Sequence, residues 1–215
     1  MIIRAKHHFF IHPFFKAYTI WKMKKKFASA TITGDYKPNN RSILLIVNHI
    51  SWWDGFWMMY LNLRRLHKKF HFMMLEDQLR KHWFFKYTGG FSIQPGSRSV
   101  VESLAYTREL LAQPGNMVLI FPAGEIQSMH QQIHSFQTGI NQILSSKSQS
   151  FDIMLVACFV DYFSSPKPHL TIYINTIEIQ ELQASSPEKM YNDFYEACKV
   201  QQCSKENISR SQSVN

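Results

Sequence analysis

The sequence predicts an α/β protein with a mixed, largely parallel central sheet covered by helices. Three observations carry that expectation. Residues 43–47, 117–121 and 153–160 are continuous apolar runs of strand length, as strands buried on both faces require. Segments of helical character separate them, so the two element types alternate along the chain. The chain has 215 residues, 45% of them hydrophobic, enough for one domain with a sizeable core.

The elements follow in order. Residues 7–26 form a helix crowded with Phe9, Phe10, Phe14, Phe15, Tyr18 and Trp21, followed by Lys22, Lys24, Lys25 and Lys26. Aromatics at headgroup level with lysines beside them suit a helix lying in a membrane surface. The alternative is a helix packing those aromatics on the domain. Gly34-Asp35-Tyr36-Lys37-Pro38-Asn39-Asn40 is turn-like, and the strand 43–47 follows it. A helix is expected over 53–63, a strand over 71–75, a helix over 79–87 and a short extended piece over 91–94. Ser99–Leu111 reads as a helix stopped by Pro114-Gly115, and 117–121 as a strand. A helix over 138–144, a strand over 153–160 and an alternating strand over 170–177 come next. Ser186-Pro187-Glu188 starts a last helix, with serine as cap and proline at the first helical position, running to about residue 200. Three segments result: 1–33 membrane-associating, 34–200 the main domain, and 201–215 a polar tail expected to be disordered.

Composition narrows the partners. A net charge of +9 favours an anionic membrane, nucleic acid, or an acidic ligand such as a coenzyme or carrier protein. Nucleic acid is not expected, because the basic residues are scattered apart from 22–26 and no nucleic-acid motif appears. Cys158, Cys198 and Cys203 form no C-x-x-C pair and read as reduced thiols of a cytoplasmic compartment. No signal peptide is evident, and no apolar run approaches the roughly 20 residues that span a bilayer. Peripheral attachment to the cytoplasmic face of the cell membrane is the localisation these features suggest.

The chemistry concentrates at Asn48-His49-Ile50-Ser51-Trp52-Trp53-Asp54, directly after the first buried strand. A histidine at a strand end and a carboxylate five positions on, at a helix start, suit a general base and the group that orients it. Ser51-x-x-Asp54 is also a capping box, in which the acid is structural. A serine hydrolase could use the same pair, but the chain has no G-x-S-x-G. Phe121-Pro122-Ala123-Gly124-Glu125 follows another strand; as a tight turn it offers backbone N–H groups to an anion or oxyanion, or it is an ordinary turn. Gly89-Gly90-Phe91-Ser92-Ile93-Gln94-Pro95-Gly96-Ser97-Arg98 is glycine-rich and ends in a cation that a phosphate could use. His67/His71 and His130/His134 have i,i+4 spacing, but no cysteine or H-E-x-x-H pattern supports zinc, so no metal is expected.

The order and spacing of these stretches resemble the PlsC-like lysophospholipid/glycerol-phosphate acyltransferase family over about residues 40–165. Asn48, His49, Ser51 and Asp54 match N-H-x-S-x-x-D. Gly90, Phe91 and Ile93 resemble the second block; Phe121, Pro122 and Gly124 resemble F-P-E-G-T-R-S; and Phe136-x-x-Gly139 matches a downstream F-x-x-G. The chain departs from the pattern at Pro95, Ala123, Ile126 and Ala157, where the family has arginine, glutamate, arginine and proline. The resemblance implies transfer of an acyl group from acyl-CoA or acyl carrier protein to a lipid hydroxyl, with no bound cofactor. It implies that His49 is the base, Asp54 its orienting partner, and Arg98, Phe121, Pro122, Gly124 and Glu125 substrate contacts. Trp52, Trp53, Phe56, Trp57, Met58 and Met59 are candidates for the acyl groove. Two acceptor classes remain open: a lysophospholipid, with Arg98 or Lys81 taking the phosphate, or a non-phosphate lipid such as an aminolipid, glycolipid or hydroxylated pigment. A thioesterase, or an inactive membrane-associated domain of the same fold, are the remaining alternatives.

Overall fold

The computed structural model describes residues 1–144, 151–177 and 185–212, the last seven by their backbone. A seven-stranded sheet runs through it in the order β1-β7-β6-β2-β5-β3-β4. The strands are β1 (Ser29–Thr33), β2 (Ser42–Val47), β3 (Lys69–Leu75), β4 (Gly90–Ile93), β5 (Asn116–Ile120), β6 (Phe151–Asp161) and β7 (His169–Ile177). All neighbouring pairs are parallel except β6 and β7, a long antiparallel pair. The sheet is therefore mixed and largely parallel, as the sequence predicts.

The apolar runs are strands covered on both faces. In β2, Ile43, Leu45 and Val47 point to one core layer, while Leu44 and Ile46 point to the other. Helices α1 (Ile11–Lys26) and α2 (Asp54–Leu61) cover the first layer through Met23, Trp57, Met58 and Met59. Helices α4 (Ser99–Leu111), α5 (Gly139–Leu144) and α6 (Pro187–Gln212) cover the second through Leu104, Ile140, Ile143, Tyr191 and Tyr195. Helix α3 (Glu76–Lys81) and a 3₁₀ turn, Trp83–Tyr87, fill the connection from β3 to β4.

Several elements differ from the sequence reading. Helix α2 ends at Leu61 and passes into a π turn, Asn62–Leu66, which His67 closes with a left-handed backbone at φ 55°. The expected helix 79–87 is two pieces, because His82 has a non-helical backbone. Residues 1–33 are not a separate unit. Ser29–Thr33 is edge strand β1 on β7, Ile2 lies in the core, and the Ile3 N–H donates to Ser92 Oγ at 2.8 Å. The expected disorder from Gln201 is corrected as well: helix α6 continues to Gln212. Gln202 is buried there, donating to Asp161 at 2.7 Å and accepting from the Tyr173 hydroxyl at 2.8 Å. Residues 213–215 of that expected tail lie outside the described residues.

The ladder between β3 and its neighbours opens a slot. Lys69 to Phe72 pair with β5, whereas Phe72 to Leu75 pair with β4. Beyond Phe72 and Leu119 the two strands part, at the carboxyl ends where open α/β sheets commonly hold ligands.

Candidate active site

Strand β2 ends at Val47, and the next residues turn toward α2. Asn48 locks that turn to the neighbouring strand: its amide donates to the Cys158 carbonyl at 3.0 Å and accepts from the Cys158 N–H at 2.8 Å. His49 then emerges with its side chain 21% exposed, while Asp54 at the start of α2 is fully buried. Asp54 Oδ2 lies 2.8 Å from His49 Nδ1, and it also accepts the N–H groups of Ile50 at 2.7 Å and Ser51 at 2.9 Å.

Asp54 thus serves both readings of the motif. It reaches back to the Ser51 N–H as a capping acid does, and the same oxygen holds the imidazole. The serine half of the box differs from expectation: Ser51 Oγ accepts from Trp53 N–H at 3.1 Å, not from Asp54 N–H. Burial pushes the Asp54 carboxyl above its ordinary range, and the hydrogen bonds from His49, Ser51 and Ile50 act in the opposite direction. An Nδ1–H held by this carboxylate leaves Nε2 unprotonated, free to accept a proton.

The imidazole is fixed on a second side by the residue after β5. The rings of His49 and Phe121 stack at 3.9 Å with 9° between their planes. Pro122 is buried, and the Gly124 N–H donates to the Phe121 carbonyl at 3.1 Å, closing a tight turn. Gly124 has φ +75°, which a side chain would disfavour. The turn therefore uses the Gly124 N–H itself. The N–H groups of Ala123, Glu125 and Ile126 have no intramolecular acceptor among the described residues. Beyond the turn, Gln127 N–H donates to the His49 carbonyl at 2.7 Å, so the first and third motifs are bonded to each other.

His49, Phe121, Pro122, Gly124 and Glu125 all line one cavity of about 780 Å³. It fills the slot between β3 and β5, and Phe15 and Thr19 of α1 form part of its wall. Of the proposed groove residues, Trp52, Phe56 and Met59 line it; Trp57 and Met58 are buried in the core instead. Met73, Met74, Leu104, Ile140 and Ile143 extend the apolar wall, and sequence reasoning had not singled these out. Their signal was ordinary core hydrophobicity, which does not distinguish a lining residue from a packed one. Arg98 and Lys81 are exposed and do not line the cavity, although Gly96 and Val100 beside Arg98 do.

The loop that leaves the cavity is tied to α6. Asn192 Oδ1 accepts the His134 N–H at 2.7 Å, and Asn192 Nδ2 donates to the His134 carbonyl at 3.1 Å. Glu188 accepts the Phe136 N–H at 3.0 Å, and the Tyr195 hydroxyl donates to the Met129 carbonyl at 2.6 Å. His130 and His134 lie in this loop, while His67 closes a turn and His71 lies in β3, so neither pair shares a helix. Among the described residues, no group of three or more His, Cys, Asp or Glu side chains is placed to hold a metal.

A doubly covered, mostly parallel sheet whose strand ends frame a His–Asp pair and an apolar cavity is the architecture of an α/β enzyme. The profile of the Acyltransferase family matches residues 29–161, more than half of the chain, and the protein belongs to that family. It is a transferase, and the match runs from β1 through β6, taking in both the His49–Asp54 stretch and the Phe121–Glu125 turn. No curated protein matches the chain.

Proposed function

We propose that the protein transfers a fatty acyl group from a thioester, acyl-CoA or acyl carrier protein, to a lipid hydroxyl. His49 Nε2 takes the hydroxyl proton, and the acceptor oxygen attacks the thioester carbonyl directly. The O–H and C–S bonds break, a C–O ester bond forms, and the proton passes through His49 to the leaving thiolate. Asp54 fixes the tautomer and stabilises the imidazolium. The N–H groups of Ala123, Glu125 and Ile126, on the cavity wall, are candidate donors for the tetrahedral oxyanion.

The observation that carries this reading is the 2.8 Å contact between His49 Nδ1 and a fully buried Asp54, with His49 lining an apolar cavity of about 780 Å³. Positioned base catalysis contributes ~10²–10⁴ in rate, so His49→Ala is expected to lose at least about 100-fold in turnover. Thiol release from a long-chain acyl-CoA, with circular dichroism as the fold control, tests it. Unchanged release by a folded His49→Ala protein overturns the assignment. Release that no lipid acceptor stimulates makes the protein a thioesterase instead.

Peripheral docking on the cytoplasmic face of the cell membrane goes with this reading. Phe9, Phe10, Phe14 and Trp21 are between half and three-quarters exposed, and Lys24, Lys25 and Lys26 close α1 beside them. Among the described residues no helix is long and apolar enough to cross a membrane. Phe15 and Thr19 of the same helix wall the cavity, so the aromatic face adjoins its entrance. Deleting residues 1–26 is a poor test, since Ile2 and Met23 belong to the core. A Phe9→Ser, Phe10→Ser, Phe14→Ser triple variant should instead lose sedimentation with anionic vesicles. Full sedimentation of that variant rejects the docking face.

A further inference from the structure

Resting on the acyl-transfer reading, we infer that the acceptor presents an uncharged polyol head to this site, of glycerol or sugar type, and no phosphate. Recognition of a phosphate dianion in a largely apolar cavity calls for cations besides the N–H groups of Ala123, Glu125 and Ile126, which this reading assigns to the oxyanion. Among the described residues, the cavity wall contains no lysine or arginine. Its one basic side chain among the described residues is His49, whose Nδ1 is held by Asp54 and whose Nε2 must stay unprotonated to work as a base. Among those residues its one full charge is the carboxylate of Glu125, which repels an anion. Arg98 and Lys81 point their charge into solvent outside the wall.

The polar groups that do face the cavity are of another kind. Gln78, Gln137 and Thr138 supply neutral amide and hydroxyl groups, and Glu125 supplies acceptor oxygens. Gln137 is itself held at the turn: its N–H donates to the Pro122 carbonyl at 2.9 Å and its Nε2 to the Ala123 carbonyl at 3.2 Å. Neutral donors and acceptors beside a carboxylate pair with hydroxyl groups, each of which both donates and accepts. Glu125 is exposed to water and so gives a cationic head only a screened attraction. Ile126, 55% exposed on the same wall, adds apolar surface where an anion would want a charge.

The test measures kcat/KM with one long-chain acyl-CoA and three acceptors at equal mole fraction in neutral detergent micelles. The acceptors are a monoacylglycerol or alkyl glucoside, lysophosphatidate, and a cationic lyso-aminolipid. The uncharged polyol lipid is expected to exceed lysophosphatidate by at least about 100-fold, the scale on which a site rejects a mismatched polar group. Ile126→Arg, which adds the missing cation, is expected to narrow that gap at least about tenfold. Lysophosphatidate used as well as the polyol, with the rate lost in Arg98→Ala, overturns the inference while leaving acyl transfer intact. Preference for the aminolipid, lost in Glu125→Gln, overturns it too. His49-independent thiol release with every acceptor is the separate failure of acyl transfer itself.

Discussion

The imidazole of His49 lies flat on the ring of Phe121, 3.9 Å between centroids and 9° between planes. One residue lies two positions after the end of β2 and the other directly follows β5, two adjacent strands in the sheet. The stack and the Asp54 hydrogen bond restrain the ring in perpendicular directions. Phe121→Leu keeps the apolar contact and removes the flat support. Aromatic pairs are worth about 0.5–1.5 kcal/mol beyond their area, so a roughly two- to tenfold fall in kcat is expected, with KM for the thioester little changed. Steady-state kinetics check this; a normal kcat would show that Asp54 alone orients His49.

Asp54 has two separable jobs, and two substitutions separate them. Asn at this position keeps an oxygen for the Ile50 and Ser51 N–H groups and for His49 Nδ1–H, but it carries no negative charge to stabilise the imidazolium. Asp54→Asn should therefore fold with near-normal stability and lose at least about 100-fold in kcat. Asp54→Ala strands both buried donors and should in addition cost about 1–3 kcal/mol of unfolding free energy. Equal denaturation midpoints for the two variants would contradict the double role.

Helix α6 lies outside the family match yet holds the loop beyond the cavity. Asn192 bonds both the N–H and the carbonyl of His134, as a strand neighbour would. Asn192→Ala is expected to lower stability by about 1–2 kcal/mol and to raise KM for the lipid acceptor several-fold. The loop's far end carries Gln137, while His49 keeps its own partners. A change in kcat alone, with KM unmoved, would argue against this route.

His7, His12 and His71 form a cluster between the N-terminal segment and β3, with successive ring centroids 4.8 Å apart. Burial is the main cause that lowers all three, to about 4 for His12 and about 3 for His71, and Lys69 lowers each further. The folded chain therefore keeps them neutral where unfolded histidines, at 6.5, begin to take protons. Between those limits the unfolded state binds more protons, so stability is complete above 6.5 and declines as pH falls toward 3 to 4. His71 is 3% exposed and should supply about 1–2 kcal/mol of that decline by about pH 5. Urea unfolding at about pH 7.5 and about pH 5 measures it, and His71→Leu should flatten the dependence. An unchanged slope in that variant rejects the cluster as its source.

The fold was legible wherever burial on both faces left a continuous apolar run: β2, β5 and β6 could be read within a residue or two at each end. Strand β1 was not, because Ser-Ala-Thr-Ile-Thr at an edge has only partial burial and no sharp pattern. The extension of α6 was also hidden, since a polar sequence gives no sign that Gln202 bonds Tyr173 and Asp161 across the sheet. At the site, local spacing was enough to pair His49 with Asp54. The stack on Phe121, the tie from Gln127 and the anchoring by Asn192 join residues far apart in sequence, so no periodicity could reveal them. Arg98, the cation at the end of the glycine-rich stretch, lies exposed outside the cavity wall, a position that local sequence does not reveal.

Strand β3 changes partner at a single residue. Phe72 is registered with both Leu119 of β5 and Gly90 of β4, while Lys69–His71 face only β5 and Met73–Leu75 only β4. Within the ladder, the sheet's outer corner thus joins the other strands through one doubly paired position. Backbone amides of Met73 and Leu75 should exchange with deuterium well before those of Lys69 and His71, within the same strand. A substrate tail wedged against Met73 and Met74 should slow that exchange, giving a report of occupancy that needs no turnover.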